Sequence, residues 1–242
     1  MNNNPSMVEP VLLEETLQGV RLLRLNRPAK KNALANSLTR EIVRAIDDAS
    51  HDDAIRVIGI TGVGDAFCAG ADLKEIAAGN SAALATMKGG FGGITRRERT
   101  KPLIAAITGT AVAGGCEISL SCDLIIASTE TVFGLPEVKR SLVAAAGGLF
   151  RLPRALGMAT AMELIMTGDP LPAQRAFELG MVNKVVLPEQ VLAEAKQLAE
   201  RIMANAPLAV QASRNVAARA LMDDDEALWR ASGKGFQSIV GT

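Results

Sequence analysis

Short apolar runs at residues 11–13, 20–25, 57–61, 103–108 and 124–128 alternate with stretches whose apolar residues recur every three to four positions. Runs of that length predict buried strands and the 3.6-residue recurrence predicts helices, so the chain reads as α/β. Over residues 35–50, Leu38, Ile42, Ile46 and Ala49 share one helical face while Arg40, Arg44 and Asp48 point elsewhere, the pattern of an amphipathic helix. After Pro188 the rhythm changes, and residues 190–206, 208–222 and 224–239 form three successive helical patterns with no strand between them. Val191, Ala195, Leu198 and Ile202 stripe the first, and the acidic run at residues 223–226 opens the third, where a helix N-terminus favours negative charge. The expected division is a core over residues 1–189 and a helical region over 190–242.

Two segments interrupt this pattern in the same way. Ile60-Thr61-Gly62-Val63-Gly64-Asp65-Ala66-Phe67-Cys68-Ala69-Gly70-Ala71-Asp72-Leu73 and Ile107-Thr108-Gly109-Thr110-Ala111-Val112-Ala113-Gly114-Gly115-Cys116-Glu117 both leave a strand through Thr-Gly and enter small-residue loops expected to open helices. Small residues at such junctions let a ligand approach the backbone, and the first amides of a helix are free donors that face negative charge. Neither loop continues into Gly-Lys-Ser/Thr, so a phosphate-binding P-loop is excluded.

Composition narrows the partners. With 242 residues, 48% of them hydrophobic, the chain can bury a full-sized core. Lys plus Arg number 26 and Asp plus Glu also 26, so no net positive field exists to hold a nucleic acid. No uncharged apolar stretch reaches the roughly 18 to 20 residues that cross a bilayer, and the polar stretch 1–10 carries no leader pattern, so the expected location is the cytoplasm. Cys68, Cys116 and Cys122 leave an odd thiol in any pairing and lack zinc spacing, which predicts reduced, buried thiols. The single histidine, His51, lies in a polar Ser-His-Asp-Asp stretch and is expected at the surface. No metal site is expected. The arginines of Arg96-Arg97-Glu98-Arg99, which follow a mobile-looking glycine-rich segment at residues 89–93, are expected on a solvated face.

The two loops resemble the signatures of the crotonase, or enoyl-coenzyme A hydratase/isomerase, superfamily, and the likeness extends over about residues 12–240. Leu25-Asn26-Arg27-Pro28-Ala29-Lys30-Lys31-Asn32-Ala33-Leu34 is similar to the family's early coenzyme A-binding segment. Phe133-Gly134-Leu135-Pro136-Glu137 and the stretch from Gly147-Gly148 to Arg151-Leu152 resemble its later catalytic segment, and Thr167-Gly168-Asp169-Pro170 through Val185-Val186 its approach to the C-terminal helices. The resemblance implies a spiral of ββα repeats with a C-terminal helical trimerisation region, a homotrimer or homohexamer. It implies an acyl-coenzyme A substrate and no further cofactor, since coenzyme A is part of that substrate. Family chains ordinarily run on through one more helix beyond the point matching Val240-Gly241-Thr242, so coverage of the coenzyme site is expected to differ here.

By the same resemblance, the amides of Ala71 and Gly114 match the family's two oxyanion donors, and Glu117 and Glu137 its two catalytic carboxylates. Ala69, Asp72 and Leu73 match coenzyme-binding positions, with Lys30, Lys31 and more weakly Lys74 as candidates for its phosphates. Adding water across a double bond conjugated to a thioester needs one group to activate the water and one to protonate the α-carbon, and it needs fixed donors at the enolate oxygen. Two carboxylates therefore predict an enoyl-coenzyme A hydratase. A double-bond isomerase working with one carboxylate, or a non-catalytic acyl-coenzyme A-binding scaffold, are the alternatives. One departure bears on water placement: Ala144-Ala145 stands where many hydratases carry Pro-Gly.

Overall fold

The computed structural model describes residues 9–240; the polar stretch up to residue 8 and the final Gly241-Thr242 lie outside the described residues. The first half runs β1 (Leu12–Leu17), β2 (Val20–Leu25), α1 (Asn36–His51), β3 (Val57–Gly62), β4 (Ala66–Cys68), α2 (Leu73–Ala77), β5 (Ala85–Thr86) and β6 (Gly90–Phe91). There follow β7 (Leu103–Ile107), β8 (Thr110–Val112), α3 (Gly114–Ser121), β9 (Leu124–Ser128), β10 (Val132–Gly134), α4 (Gly148–Leu156) and α5 (Met158–Thr167). The chain ends with β11 (Leu171–Pro172), α6 (Ala173–Glu178), β12 (Lys184–Val186), α7 (Val191–Met203), α8 (Pro207–Ala217) and α9 (Asp225–Ile239).

Six strands form one sheet in the order β1-β2-β3-β7-β9-β12, and four form a second in the order β11-β10-β8-β4. The pairs β3/β4, β7/β8 and β9/β10 each send one strand to the large sheet and the next to the small one before a helical segment follows. That is a spiral of ββα turns. The helical pattern at residues 35–50 is α1, and its predicted apolar face, Leu38, Ile42, Ile46 and Ala49, is buried.

Strands β3, β7 and β9 read as unbroken apolar runs because both of their faces are covered, as in parallel sheets. Ile58, Ile60, Leu103, Ala105, Ile107, Ile125 and Ala127 point into the main core with α1. The alternate residues Val57, Ile104, Ala106 and Ile126 pack against Val191 and Ala199 of α7. Helices α8 and α9 pack mainly on each other and bury no residue completely. Arg214 ties α8 to the core through Asp123, 2.9 Å away, and the Arg99 carbonyl.

Two expectations are corrected. The two small-residue loops do not run straight from strand to helix, because short strands β4 and β8 intervene and build the second sheet. Arg97 and Arg99 are not on a solvated face: Arg97 pairs with Asp47, and Arg99 is 9% exposed, bonded to Asp123 and the Ser121 carbonyl. The glycine-rich segment folds as the β5–β6 hairpin, with positive φ at Gly90, Gly92 and Gly93, a conformation glycine adopts without a Cβ penalty. His51 is exposed, while Cys68 and Cys116 are buried free thiols and Cys122 is half-buried and free.

Candidate active site

A cavity of about 1430 Å³ opens beside the small sheet, larger than most small-molecule pockets. Every residue singled out from the sequence as catalytic, oxyanion-donating or coenzyme-binding lines it: Lys30, Lys31, Ala69, Ala71, Asp72, Leu73, Gly114, Glu117 and Glu137, together with Lys74. The topology explains the convergence. In the small sheet β4, β8 and β10 are parallel neighbours, so the segments that leave their C-terminal ends, which carry Ala71, Gly114 with Glu117, and Glu137, emerge side by side.

The first donor is held by a bridge, not by a helix. The Leu34 amide donates to the Gly70 carbonyl at 2.7 Å and the Asp72 amide donates to the Leu34 carbonyl at 2.8 Å. In a parallel bridge of this kind the N–H of the intervening residue, Ala71, points away from the partner strand. The second donor begins α3. Ala113, at φ 51°, turns the chain from β8 into the helix, and Gly114 is the first helical residue, whose N–H has no intrahelical acceptor. Among the described residues neither amide makes a hydrogen bond.

Glycines bring the two loops into contact. A Cβ on Gly70 would lie 2.9 Å from the Gly114 nitrogen, and one on Gly115 would lie 2.0 Å from the Cys68 carbonyl oxygen. A Cβ on Gly114 would strike the Phe91 ring at 2.3 Å. A larger residue at Gly70 or Gly115 would push the two loops apart, and one at Gly114 would displace the Phe91 ring.

Glu117 lies in the first turn of α3 and is 3% exposed. Its Oε1 accepts hydrogen bonds from the amides of Ala146 at 2.7 Å and Gly148 at 2.9 Å, at the start of α4. Burial raises its pKa to about 7, with the charge of Glu137 adding to the rise and the two amides opposing it. Glu137 sits in a five-residue 3-10 helix after β10, Pro136–Arg140, and its Oε2 is buried without a partner among the described residues. Burial raises its pKa too. Ala144-Ala145 therefore stands in the segment whose next residue, Ala146, binds Glu117; Ala145 itself lines the cavity.

Some site features had no local signal in the sequence. Asp72, expected to meet coenzyme A, has its carboxylate engaged at 2.8 Å by Arg27 and at 3.1 Å by the Lys74 amide, so it reaches the cavity only with its remaining surface. Arg27 and Asn32 lock this region. Asn32 is fully buried, accepts from the Arg27 amide and donates to the carbonyls of Val63 and Ala66. Arg151 lines the cavity near Glu117 and donates to the carbonyls of Ala146 and Thr95.

Comparison with known proteins identifies the family. The chain is 39% identical over 228 residues to a short-chain-enoyl-CoA hydratase of Clostridium acetobutylicum, covering 92% of this chain and 87% of that protein. It is 39% identical over 223 residues to a crotonyl-CoA hydratase of Syntrophomonas wolfei, covering 89% and 84%. The crystal structure of an enoyl-CoA hydratase from Mycobacterium tuberculosis superposes with a TM-score of 0.92 at 42% identity, over 97% of this chain and 92% of that one. Residues 15–240 match the family model described as enoyl-CoA hydratase/isomerase. On the fold, the paired loops and these matches together, the chain belongs to the enoyl-CoA hydratase/isomerase family, the crotonase superfamily.

Proposed function

We propose that this protein hydrates 2-enoyl-coenzyme A thioesters. The observation that carries the reading is the pair Glu117 and Glu137, facing one cavity beside two amides that have no acceptor among the described residues. Burial raises both carboxyls, and the charge of Glu137 adds to the rise that brings Glu117 to about 7, so Glu117 is available to hold a proton near neutrality; we read the pair as one protonated and one ionised member. Hydration needs that state. The ionised member takes a proton from water as its oxygen bonds to the β-carbon, and the π electrons move onto the thioester oxygen. The amides of Ala71 and Gly114 stabilise the resulting enolate. As the electrons return, the protonated member delivers its proton to the α-carbon, so the pair still holds one proton after turnover.

Lys30, Lys31 and Lys74 line the same cavity and would meet the coenzyme's phosphates, with Ala69, Asp72 and Leu73 walling its pantetheine arm. Relatives named as hydratases support hydration over isomerisation, and two intact carboxyls support an enzyme over a scaffold. Trp229 is 74% exposed and Phe236 67% in α9, and Leu221 before it 69%. Apolar surface of that extent supports burial against other copies, with residues 190–242 as the association region of a trimer or hexamer. Three free thiols support a reducing, cytoplasmic setting, and no helix among the described residues is long and apolar enough to cross a membrane.

The test is loss of enoyl-thioester ultraviolet absorbance on mixing the protein with a set of 2-enoyl-coenzyme A compounds. Turnover with at least one is expected; no turnover with any would sink the hydratase reading. Light scattering tests the assembly, and a stable monomer at micromolar concentration would refute it.

A further inference from the structure

The loop that carries Ala71 is held by a side chain that does not line the cavity. Arg27 follows β2, and its side chain is 18% exposed. One guanidinium nitrogen donates to the Ala33 carbonyl and another meets the Asp72 carboxylate at 2.8 Å. Ala33 precedes Leu34 and Asp72 follows Ala71, so the guanidinium spans the Leu34–Ala71 bridge. Arg27 is itself anchored, because its amide donates to Asn32 Oδ1 at 2.8 Å and Asn32 in turn grips the turn between β3 and β4. The other oxygen of Asp72 caps the start of α2.

We propose that Arg27 is a positioning residue of the oxyanion hole: by clamping Ala33 to Asp72 across the bridge, it fixes the direction of the Ala71 N–H without touching substrate. The inference rests on the reading of Ala71 as a donor to the thioester oxygen. A partly buried ion pair is weak evidence for stability, since desolvation offsets much of its attraction. What this pair does supply is geometry. A planar fork that contacts two residues on opposite sides of a bridge restricts rotation of the peptide between them. A donor displaced by about an ångström can cost on the order of 100-fold in rate. Asp72 is held below the usual carboxylate range by this arginine first of all.

The experiment compares the wild type with Arg27→Met, Arg27→Lys, Asp72→Asn and the Arg27→Met/Asp72→Asn double variant. Hydration of crotonyl-coenzyme A gives kcat and KM, and thermal melting monitors the fold. The probe of the hole itself is the infrared carbonyl band of bound butyryl-coenzyme A labelled with ¹³C at the thioester carbon, a ligand that cannot be hydrated. In the wild type the band should move to lower wavenumber on binding. In Arg27→Met that displacement should shrink, and kcat should fall about 10- to 100-fold with KM changed less than about 3-fold. Arg27→Lys should recover part of both, and the double variant should be no worse than the worse single variant, since both remove one clamp. A band that keeps its wild-type displacement in Arg27→Met and Asp72→Asn, or rate losses that only track melting temperature, would overturn the inference. Should Arg27→Met fail to fold, the band and kcat of Asp72→Asn decide. Absence of any displacement in the wild type would instead refute the reading of Ala71 as donor.

Discussion

Glu117 and Glu137 face the same cavity but are held in opposite ways. The start of α3 buries Glu117 and gives one of its oxygens two backbone donors, from Ala146 and from Gly148 at the start of the next helix, whereas the turn after β10 leaves a buried oxygen of Glu137 without a partner among the described residues. One carboxyl is fixed and the other is left with capacity to bond something that enters. The contrast shows that two residues of one type acquire different bonding from their surroundings alone.

The sharpest way to break the comparison is to neutralise each carboxyl in turn. Glu117→Gln and Glu137→Gln should each lower the hydration rate by about 10² to 10⁴ while thioester binding persists, measured by absorbance kinetics and calorimetric titration. Full activity in Glu117→Gln would reject the two-carboxylate mechanism and favour a one-base isomerase.

The next effect concerns stability and separates the pair. A carboxyl whose pKa is raised by folding contributes stability that is present below its unfolded value, near 4.5, and lost as pH rises through about 7. Glu117→Gln removes that loss, so at pH 8 the variant should exceed the wild type by up to about 3 kcal/mol while matching it more closely near pH 5. Denaturant unfolding at the two pH values reads the difference directly. An unchanged or lower stability at pH 8 would mean that Glu117 is not held in a desolvated site.

Gly148→Ala probes how Glu117 is held. Its Cβ would press on Leu135 at 2.8 Å and on the Glu117 Cγ at 3.1 Å, which should cost about 1 to 3 kcal/mol by overpacking and reduce turnover. Melting curves combined with rate measurements test it, and a neutral result on both would show that the contact is free to relax.

The mildest test is the pH profile. On the proposed division of one acid and one base between the two carboxyls, kcat/KM should fall about tenfold per pH unit well above 7, where no acid remains, and fall again in acid, where no base remains. A rate that keeps rising with pH would exclude a proton held by these carboxyls.

The large sheet was legible from the apolar runs because β3, β7 and β9 are covered on both faces, and α1 was legible because only one of its faces is. Strand β1 was underread, since Glu14, Glu15 and Thr16 are exposed at a sheet edge and break the apolar run. The small sheet left no pattern, because Ala66-Phe67-Cys68 and Thr110-Ala111-Val112 are three residues each and too short for a period to show. Glu117, Glu137, Ala71 and Gly114 came from family resemblance rather than from periodicity. The Arg27–Asp72 and Arg99–Asp123 pairs join residues 45 and 24 positions apart, and no local spacing announces a bond closed by the fold.

The small sheet also limits how such a site can change. Neighbouring strands lie about 4.8 Å apart and a slip in register turns side chains to the opposite face, so the three segments leaving β4, β8 and β10 sit on a grid with fixed steps. Loop sequence can vary continuously in bulk and charge, but the origins of the three chemical groups cannot drift by fractions of a step. Redesign for a longer or bulkier acyl group therefore has its freedom in the β5–β6 hairpin and in residues 142–150, and almost none at the strand ends themselves.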